Sequence, residues 1–300
     1  MSAIPIEQPE VLSASELRAL LLQYRKENWQ GIQTPEWEER IVDDILNDDG
    51  VSILRRLSDF WQMPSGALIL DIGSGVGSFV VGCRQQGLLA FGIEPDRIGR
   101  GGRLTSIQIA RRRLKGRVFA AALGEKLPFS DHSFDLVTMN QVIEHVGDQT
   151  AVLREALRVT RGGGAVYIAC PNYLRFYEPH YKIFWLPLLP KTLGRWYLKL
   201  RGRNPVLLNQ LTYTTNNRLR AMISRLGADY TIIDLHREQF LRKCSDLSFT
   251  SRRAQFVAKA ARLPGLRRLI NWAALLFLRA TEGGCEMMIL SQQRSTNISC

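Results

Sequence analysis

The chain has 300 residues and a net charge of +12, and 45% of its residues are hydrophobic. This length suits one sizeable domain, or one domain with large insertions, and the hydrophobic content is ordinary for a packed core. Five cysteines without a C-x-x-C pair argue against a disulfide framework and a zinc site, so no metal is expected. The sequence shows no basic-then-apolar leader and no apolar run of the ~20 residues that a membrane span needs, so a cytoplasmic protein is the default expectation.

The positive charge is concentrated in two segments. Residues 171–204 carry seven basic and one acidic side chain, and residues 241–284 carry nine basic and two acidic ones. Residues 1–96, by contrast, carry seven basic and 15 acidic side chains. Both basic segments interrupt the regular alternation of strands and helices, so the excess charge lies in insertions rather than in the core of the fold.

Three helices are predicted before the first strand. Ser13, with Glu16 three residues later, forms a capping box ahead of an apolar series. Pro35 at a first helical position starts a second helix, and a third covers 51–61. Residues 1–62 are therefore interpreted as an N-terminal helical cap, which either packs on the sheet or covers a ligand.

From residue 67 onward, strand and helix patterns alternate as a parallel, doubly wound sheet requires. Strands are predicted over 67–72, 88–93, 117–122, 134–140, 165–170, 229–235 and 286–290. Helices are predicted over 76–86, 96–115, 148–160 and 216–226. The predicted fold over 63–300 is an α/β, Rossmann-like domain with a mostly parallel seven-stranded sheet and helices on both faces. In such sheets ligands bind outside the carboxyl ends of the strands.

A glycine-rich turn follows the first predicted strand, where residues 71–77 read D-I-G-S-G-V-G. One glycine permits the sharp turn, another leaves room for a ligand against the backbone, and a third lets helix pack on strand. The dinucleotide fingerprint G-x-G-x-x-G would put its third glycine at Ser78, which disfavours a NAD-dependent oxidoreductase. The residues that shape this turn are Asp71, Gly73, Ser74, Gly75 and Gly77.

An acidic residue follows the second predicted strand, in G-I-E-P-D. Glu94 can accept hydrogen bonds from both hydroxyls of a ribose, which a nucleoside ligand needs. The alternative is an acid at a helix N-terminus, favoured by the helix dipole, and Asp96 fills that role better. The pattern therefore favours Glu94 as a ribose ligand.

Four ordered motifs over about 66–170 carry a family resemblance: D-I-G-S-G-V-G, G-I-E-P-D, L-P-F-S-D-H-S-F-D and N-Q-V-I-E-H-V, supported by R-V-T-R-G-G-G. Together they resemble class I S-adenosylmethionine (SAM) methyltransferases of the type 11 group, related to ubiquinone and menaquinone biosynthesis enzymes. The resemblance implies SAM as cofactor and a methyl-transferring enzyme. It assigns cofactor contacts to Asp71, Gly73, Ser74, Gly75, Gly77, Glu94, Pro95, Gly124, Glu125, Asn140 and Gln141.

One position departs from the family pattern. The family usually has an aspartate that binds the adenine amino group two residues before Glu125, where this chain has Leu123. Backbone groups of Gly124 and Glu125 can still bind the adenine edge while Leu123 packs on its face. The lost hydrogen bond is expected to weaken cofactor binding by ~1–2 kcal/mol.

Two histidines are candidate general bases. His145 follows the fourth predicted strand, at the mouth of the expected site, and imidazole titrates near neutral pH. The alternative for His145 is a structural histidine bonded to backbone. His180 is a second possible base, whereas His132 and His236 are interpreted as structural or solvent-facing.

Residues 171–215, here called the acceptor insertion, are rich in aromatic, proline and basic residues and follow the fifth predicted strand. An insertion at that end of the sheet is well placed to build an acceptor pocket or its lid. Tyr177, Glu178 and Tyr181 are therefore candidate substrate-binding residues. The alternative is a structural lid whose aromatics pack on one another.

Residues 241–284, here called the C-terminal insertion, contain a short apolar stretch flanked by arginines at 266–279, with Trp272 inside it. A helix of this kind can lie in a membrane interface. The alternative is a helix buried on the flank of the domain.

The sequence therefore predicts a SAM-dependent methyltransferase acting on a small-molecule or lipid-linked acceptor, at oxygen, carbon or nitrogen. An anionic membrane surface is a possible partner, which would make the protein peripheral to the membrane. RNA methylation is an alternative because basic insertions also neutralise phosphates, but Asn140 is followed by Gln141 rather than by an N-P-P-Y-type tetrad. A non-catalytic SAM-binding scaffold is the other alternative, and Leu123 is the feature that favours it.

Overall fold

The computed structural model describes residues 12–28, 35–47, 50–95, 103–114, 116–227, 230–246 and 285–291. The strands are β1 (Leu68–Ile72), β2 (Leu89–Glu94), β3 (Phe119–Ala121), β4 (Phe134–Asn140), β5 (Thr160–Cys170), β6 (Tyr177–Glu178), β7 (Ile183–Phe184), β8 (Tyr230–Asp234) and β9 (Cys285–Ser291). The helices are α1 (Ala14–Asn28), α2 (Pro35–Asn47), α3 (Ser52–Leu57), α4 (Ser78–Gln85), α5 (Ser106–Arg113), α6 (Gln149–Val159), α7 (Lys191–Leu200), α8 (Val206–Gln210), α9 (Asn216–Leu226) and α10 (Leu235–Asp246).

Seven strands form one sheet in the order β3-β2-β1-β4-β5-β9-β8. The first five strands in this order pair in parallel, and β9 runs antiparallel to both β5 and β8. The chain order reverses between β1 and β4, which opens a crevice beyond their carboxyl ends. The predicted Rossmann-like, mostly parallel seven-stranded sheet is confirmed.

Both faces of the sheet are covered, which explains the near-continuous apolar sequence of its central strands. Within β1, Leu70 and Ile72 pack in the cluster on one face together with α6 and α9 residues. Ile69 packs in the cluster on the other face with residues of α3 and α4. A third apolar cluster, which includes Leu21, packs α1 and α2 against α5. Helices α1 and α2 therefore pack beside the edge of the sheet that carries β3 and α5, whereas α3 packs on a face of the sheet.

Most predicted elements agree with the structure to within two residues at each end. The strand predicted over 165–170 starts earlier, because Thr160 already pairs with Phe134 before a register shift. The helix predicted over 96–115 is wrong at its start in the described part, because Thr105 and Gln108 form a capping box that begins α5 at Ser106. The third N-terminal helix ends at Leu57 rather than at residue 61.

The capping box predicted at the start of α1 is confirmed. The amide N of Ser13 donates to Glu16 Oε2 at 2.8 Å, and Ser13 Oγ accepts from Glu16 N at 3.2 Å.

The cysteines in apolar runs, Cys83, Cys170 and Cys285, are buried free thiols, which is typical of small core residues.

Residues 247–284 lie outside the described residues, and so does the interfacial helix predicted at 266–279 with Trp272. Among the helices that the structure describes, none is long and apolar enough to cross a membrane.

Candidate active site

A cavity of about 510 Å³ opens at the carboxyl ends of β1, β2 and β4. This volume lies within the range of small-molecule and cofactor sites. The glycine turn after β1, the end of β2, the loop after β3 and the loop after β4 all contribute to its wall. The cavity thus occupies the crevice in which ligands of open α/β sheets bind.

The glycines of the turn have distinct surroundings. A Cβ on Gly75, which lines the cavity, would meet no heavy atom of the described chain within 4 Å. A Cβ on Gly77 would lie 2.6 Å from Phe119 Cζ, and one on Gly73 would lie 2.5 Å from Val142 Cγ2. Gly75 therefore leaves backbone open to a ligand, whereas Gly77 and Gly73 allow close packing of the turn on its neighbours.

Glu94 is held at the cavity wall by two hydrogen bonds. Its Oε2 accepts from Gly75 N at 3.1 Å, and its Oε1 accepts from Ser106 Oγ at 3.0 Å. Burial raises the pKa of the neighbouring Tyr24 hydroxyl, and the negative charge of Glu94 raises it further. A carboxylate oriented in this way at the cavity wall can accept hydrogen bonds from the two hydroxyls of a ribose.

The structure brings most of the predicted cofactor residues to the cavity wall. Those that line it are Gly73, Gly75, Glu94, Pro95, Gly124, Glu125 and Gln141. The remaining predicted residues, Asp71, Ser74, Gly77 and Asn140, are not among its lining residues.

Asp71 lies beneath the turn instead of in the cavity wall. Its side chain is buried, and its Oδ1 accepts from Thr138 Oγ1 at 2.6 Å. Burial raises the pKa of Asp71 to about 7, opposed by the hydrogen bond from Thr138. In this structure Asp71 therefore ties β1 to β4 under the turn.

Several cavity residues were missed by the sequence analysis. Tyr24 and Asn28 come from the last turn of α1, and Asn28 Nδ2 donates to Leu104 O at 2.8 Å. Leu207 and Gln210 come from the acceptor insertion. No motif marks these positions, because each reaches the cavity only through tertiary packing. The N-terminal cap and the acceptor insertion thus both contribute to the wall.

Leu123 lines the cavity and is 56% exposed. Replacing Leu123 with aspartate should restore an acceptor for the adenine amino group. We expect Leu123→Asp to tighten SAM binding about fivefold to tenfold, which corresponds to one hydrogen bond of ~1–1.5 kcal/mol. Calorimetric titration with SAM measures the change, with Leu123→Ala as the control that removes the side chain without supplying an acceptor. Equal or weaker binding by Leu123→Asp would contradict an adenine contact at this position.

A group of carboxylates and imidazoles adjoins the cavity, here called the histidine–carboxylate cluster: Glu144, His145, Glu178 and His180. His145 lines the cavity, and its ring packs edge-on against that of His180 with centroids 5.4 Å apart. His145 Nε2 lies 3.8 Å from Glu144 Oε1, and His180 Nδ1 donates to Glu178 Oε1 at 2.8 Å. Both carboxylates are completely buried. Burial raises the pKa of Glu144 to about 7, opposed by a hydrogen bond from its own backbone amide and by the charge of His180.

The predicted substrate-binding residues of the acceptor insertion were expected in the wall of the cavity, but the structure places them elsewhere. Tyr181 is completely buried, and its hydroxyl accepts a hydrogen bond from Leu208 N at 3.0 Å. Glu178 is buried against His180 and also accepts from Tyr181 N at 2.7 Å. Tyr177 is 40% exposed, and none of the three residues lines the cavity. Tyr181 and Glu178 therefore support the insertion from within, which corrects their interpretation as direct acceptor contacts.

The remaining two histidines do not line the cavity. His132 Nδ1 donates to Thr160 O at 3.0 Å. His236 Nε2 lies 3.4 Å from Glu286 Oε2.

The comparisons with known proteins agree with this geometry. Residues 70–168 match a family model described as "Methyltransferase domain". An uncharacterized methyltransferase of Mycobacterium sp. (strain KMS) is 32% identical over 141 residues, which cover 45% of this chain and 52% of that protein. An uncharacterized methyltransferase of Mycobacterium tuberculosis (strain ATCC 25618 / H37Rv) is 31% identical over 131 residues, covering 41% and 49%. The chain spans about half the length of the curated relatives it matches.

Among solved structures, phosphoethanolamine N-methyltransferase 2 of Haemonchus contortus in complex with S-adenosyl-L-methionine aligns with a TM-score of 0.46 and 15% identity, covering 94% of this chain and 58% of that one. An S-adenosylmethionine-dependent methyltransferase of Mesorhizobium loti aligns with a TM-score of 0.47 and 12% identity, covering 82% and 99%.

The order of the sheet, the glycine turn after β1 and the acidic residue at the end of β2 define a domain of the Rossmann-like class. More narrowly, residues 70–168 match a methyltransferase domain.

Proposed function

We propose that this protein transfers the methyl group of SAM to a lipid-linked acceptor at an anionic membrane surface. The donor half of this proposal rests on the cavity and Glu94. The acceptor half rests on one observation, the apolar and basic outer surface of the acceptor insertion.

The chemistry of the donor side requires alignment above all. The acceptor atom attacks the methyl carbon while the carbon–sulfur bond breaks, and S-adenosylhomocysteine leaves as a neutral thioether. Because the sulfonium is already activated, orientation alone can lower the barrier by ~7–11 kcal/mol. A cavity that the acceptor insertion flanks through Leu207 and Gln210 suits this task.

The exposed large apolar side chains are concentrated in one region. Of the 11 among the described residues, all but Leu123 lie between positions 174 and 206. The same region has its own small core around Tyr181, Trp185 and Leu198, so these side chains are exposed on a folded unit. Exposed apolar side chains concentrated in one folded segment favour an interaction site there.

Helix α7 carries the clearest part of this surface. Leu193, Trp196 and Leu200 recur at i, i+3 and i+7 and are 56%, 64% and 64% exposed. Gly194 and Leu198 are buried on the inner side of the helix. The cations of the helix recur at i, i+4 and i+8, at Lys191, Arg195 and Lys199. An exposed tryptophan and leucines beside a row of cations are typical of a helix lying in a lipid interface.

The same surface favours RNA methylation less than it favours methylation of a lipid-linked acceptor. Basic side chains alone would suit phosphates of either partner, but exposed leucines gain little from an RNA backbone and much from a lipid interface.

Co-sedimentation with vesicles of phosphatidylglycerol and phosphatidylcholine tests the acceptor half. We expect the protein to sediment with anionic vesicles and to be released by high salt. A variant with Leu193, Trp196 and Leu200 all replaced by serine should bind at least about 100-fold more weakly, because each buried apolar side chain contributes ~1.5–3 kcal/mol.

The matched control removes three exposed cations elsewhere, Arg111→Gln, Arg112→Gln and Arg225→Gln, and should keep most of the vesicle binding.

Methyl label from SAM should then appear in the lipid extract of membranes incubated with the enzyme. Protein that stays in the supernatant with anionic vesicles would contradict the membrane surface. Nucleic acid that copurifies and becomes methylated would favour RNA instead, and SAM binding without methyl transfer to lipid or RNA would favour a scaffold.

A further inference from the structure

Two distant parts of the chain bring three potential metal ligands together beside the cavity. Glu144 and His145 follow β4, and His180 lies in the acceptor insertion between β6 and β7. One ligand atom from each of these residues lies within 4.8 Å of the other two. In a tetrahedral zinc site, ligand atoms about 2.1 Å from the ion are ~3.4 Å apart. Because the His145 side chain is 36% exposed, it has room to close the difference.

The carboxylate of Glu144 is the second, independent observation. Its side chain is completely buried, and neither oxygen accepts a hydrogen bond from any other residue that the structure describes. A buried carboxylate to which no other residue donates a hydrogen bond costs free energy unless a cation or a proton compensates it. A divalent ion between Glu144 and the two imidazoles would supply that compensation.

Glu178 gives His180 the orientation that a metal ligand needs. Since His180 Nδ1 donates to the buried Glu178 Oε1 at 2.8 Å, the lone pair that remains is on Nε2. Glu178 is itself fixed by the amide N of Tyr181, which donates to Oε2 at 2.7 Å. A carboxylate behind a histidine that ligates through its other nitrogen is the usual outer shell of a zinc-bound imidazole.

We propose that Glu144, His145 and His180 bind a divalent transition-metal ion, with zinc as the best match to two imidazoles and one carboxylate. Three protein ligands leave a fourth position for water or substrate, as in catalytic zinc sites. Because His145 also lines the cavity, that position adjoins the proposed cofactor site.

The chemistry of the site follows from the ion, and this step rests on the proposed methyltransferase function. A hydroxyl of the acceptor binds at the fourth position, where the ion lowers its pKa, and its proton passes to solvent. The resulting alkoxide or phenolate attacks the methyl carbon, an O–C bond forms and the C–S bond of SAM breaks. The metal thus selects an oxygen acceptor over carbon or nitrogen.

Zinc binding is tested with the full-length, tag-free protein after dialysis against a chelator. We expect calorimetric titration with Zn²⁺ alone to show one site per chain, and Co²⁺ to give the visible absorption of a tetrahedral complex. Glu144→Gln, His145→Ala and His180→Ala should each weaken zinc binding more than about 100-fold. Glu178→Gln should weaken it about 10- to 100-fold, as expected of an outer-shell partner.

His132→Gln is the matched control, since His132 bonds to Thr160 O outside the cluster, and it should bind zinc like the unmodified protein. Titration of every variant with S-adenosylhomocysteine measures the donor site separately, so a failed metal site is distinguishable from a failed cofactor site. The proposal is overturned if the unmodified protein binds no zinc at one equivalent, or if the three ligand variants bind it as tightly as His132→Gln.

Discussion

Replacing Glu94 with alanine is expected to weaken SAM binding at least 100-fold. The carboxylate lies at the cavity wall and is oriented by Gly75 N and Ser106 Oγ. Each hydrogen bond between a ribose hydroxyl and this ionised acceptor is worth ~1.5–3 kcal/mol, and two such bonds together exceed two factors of ten in affinity. Calorimetric titration with SAM and with S-adenosylhomocysteine measures the loss for both ligands, because they share the ribose.

Two further variants separate the role of Glu94 in binding from its role in the turn. Ser106→Ala removes one orienting bond but keeps the carboxylate, so binding should weaken only about threefold to tenfold. Asp131→Ala removes an exposed carboxylate in the loop before β4 and should leave SAM binding unchanged. If Glu94→Ala binds SAM as tightly as Asp131→Ala does, Glu94 is not the ribose ligand.

The fold could be predicted because its signals are local. Each parallel strand is an apolar run followed by a turn or polar residue, and the motif residues fall directly after strand ends. Glu94 is the clearest case. Its place after an apolar strand and before a proline is visible in the sequence, and the register of β2 on β1 then puts it opposite the glycine turn.

The acceptor insertion could not be predicted in the same way because its signals are not local. Tyr181 and Tyr177 are four residues apart in an aromatic stretch, yet one is buried in the core of the insertion and the other is on its surface. This difference in burial comes from the hairpin of β6 and β7, which is too short to produce a periodic pattern of apolar residues in the sequence.

The histidine–carboxylate cluster could not be predicted either, because its residues come from separate parts of the chain. His145 was a candidate base by its position after β4, but Glu144 beside it carried no signal of its own. The sequence places His180 35 residues further on, and only the packing of the insertion brings their rings to 5.4 Å. The absence of C-x-x-C pairs excluded one kind of metal site and said nothing about ligands assembled from separate loops.

The second large effect is expected from alanine substitutions in the glycine turn. Substitutions at neighbouring glycines should impair different properties, stability at one position and cofactor binding at another. Gly77→Ala should lower the free energy of unfolding by ~2–5 kcal/mol. Its φ of 82° is strained for an L-residue, at ~1–2 kcal/mol. The new methyl would also meet Phe119 Cζ at 2.6 Å, and overpacking adds ~1–3 kcal/mol.

Gly75→Ala should lose cofactor affinity instead. Its φ of 52° makes the strain modest, and a Cβ there meets no atom of the described chain within 4 Å. The methyl would stand in the cavity where the cofactor lies against backbone, so SAM binding should weaken about 10- to 100-fold, the equivalent of the ~1–3 kcal/mol that overpacking costs.

Gly87→Ala is the matched control for backbone strain. Gly87 has a φ of 78° and likewise no described atom near its Cβ position, but it follows α4 away from the cavity. Urea unfolding and calorimetry on the three variants should therefore give three outcomes: stability lost at position 77, affinity lost at position 75, and a small stability loss with unchanged affinity at position 87. If Gly75→Ala binds SAM as Gly87→Ala does, the cofactor does not lie against the backbone at position 75, and the cavity holds it in another orientation.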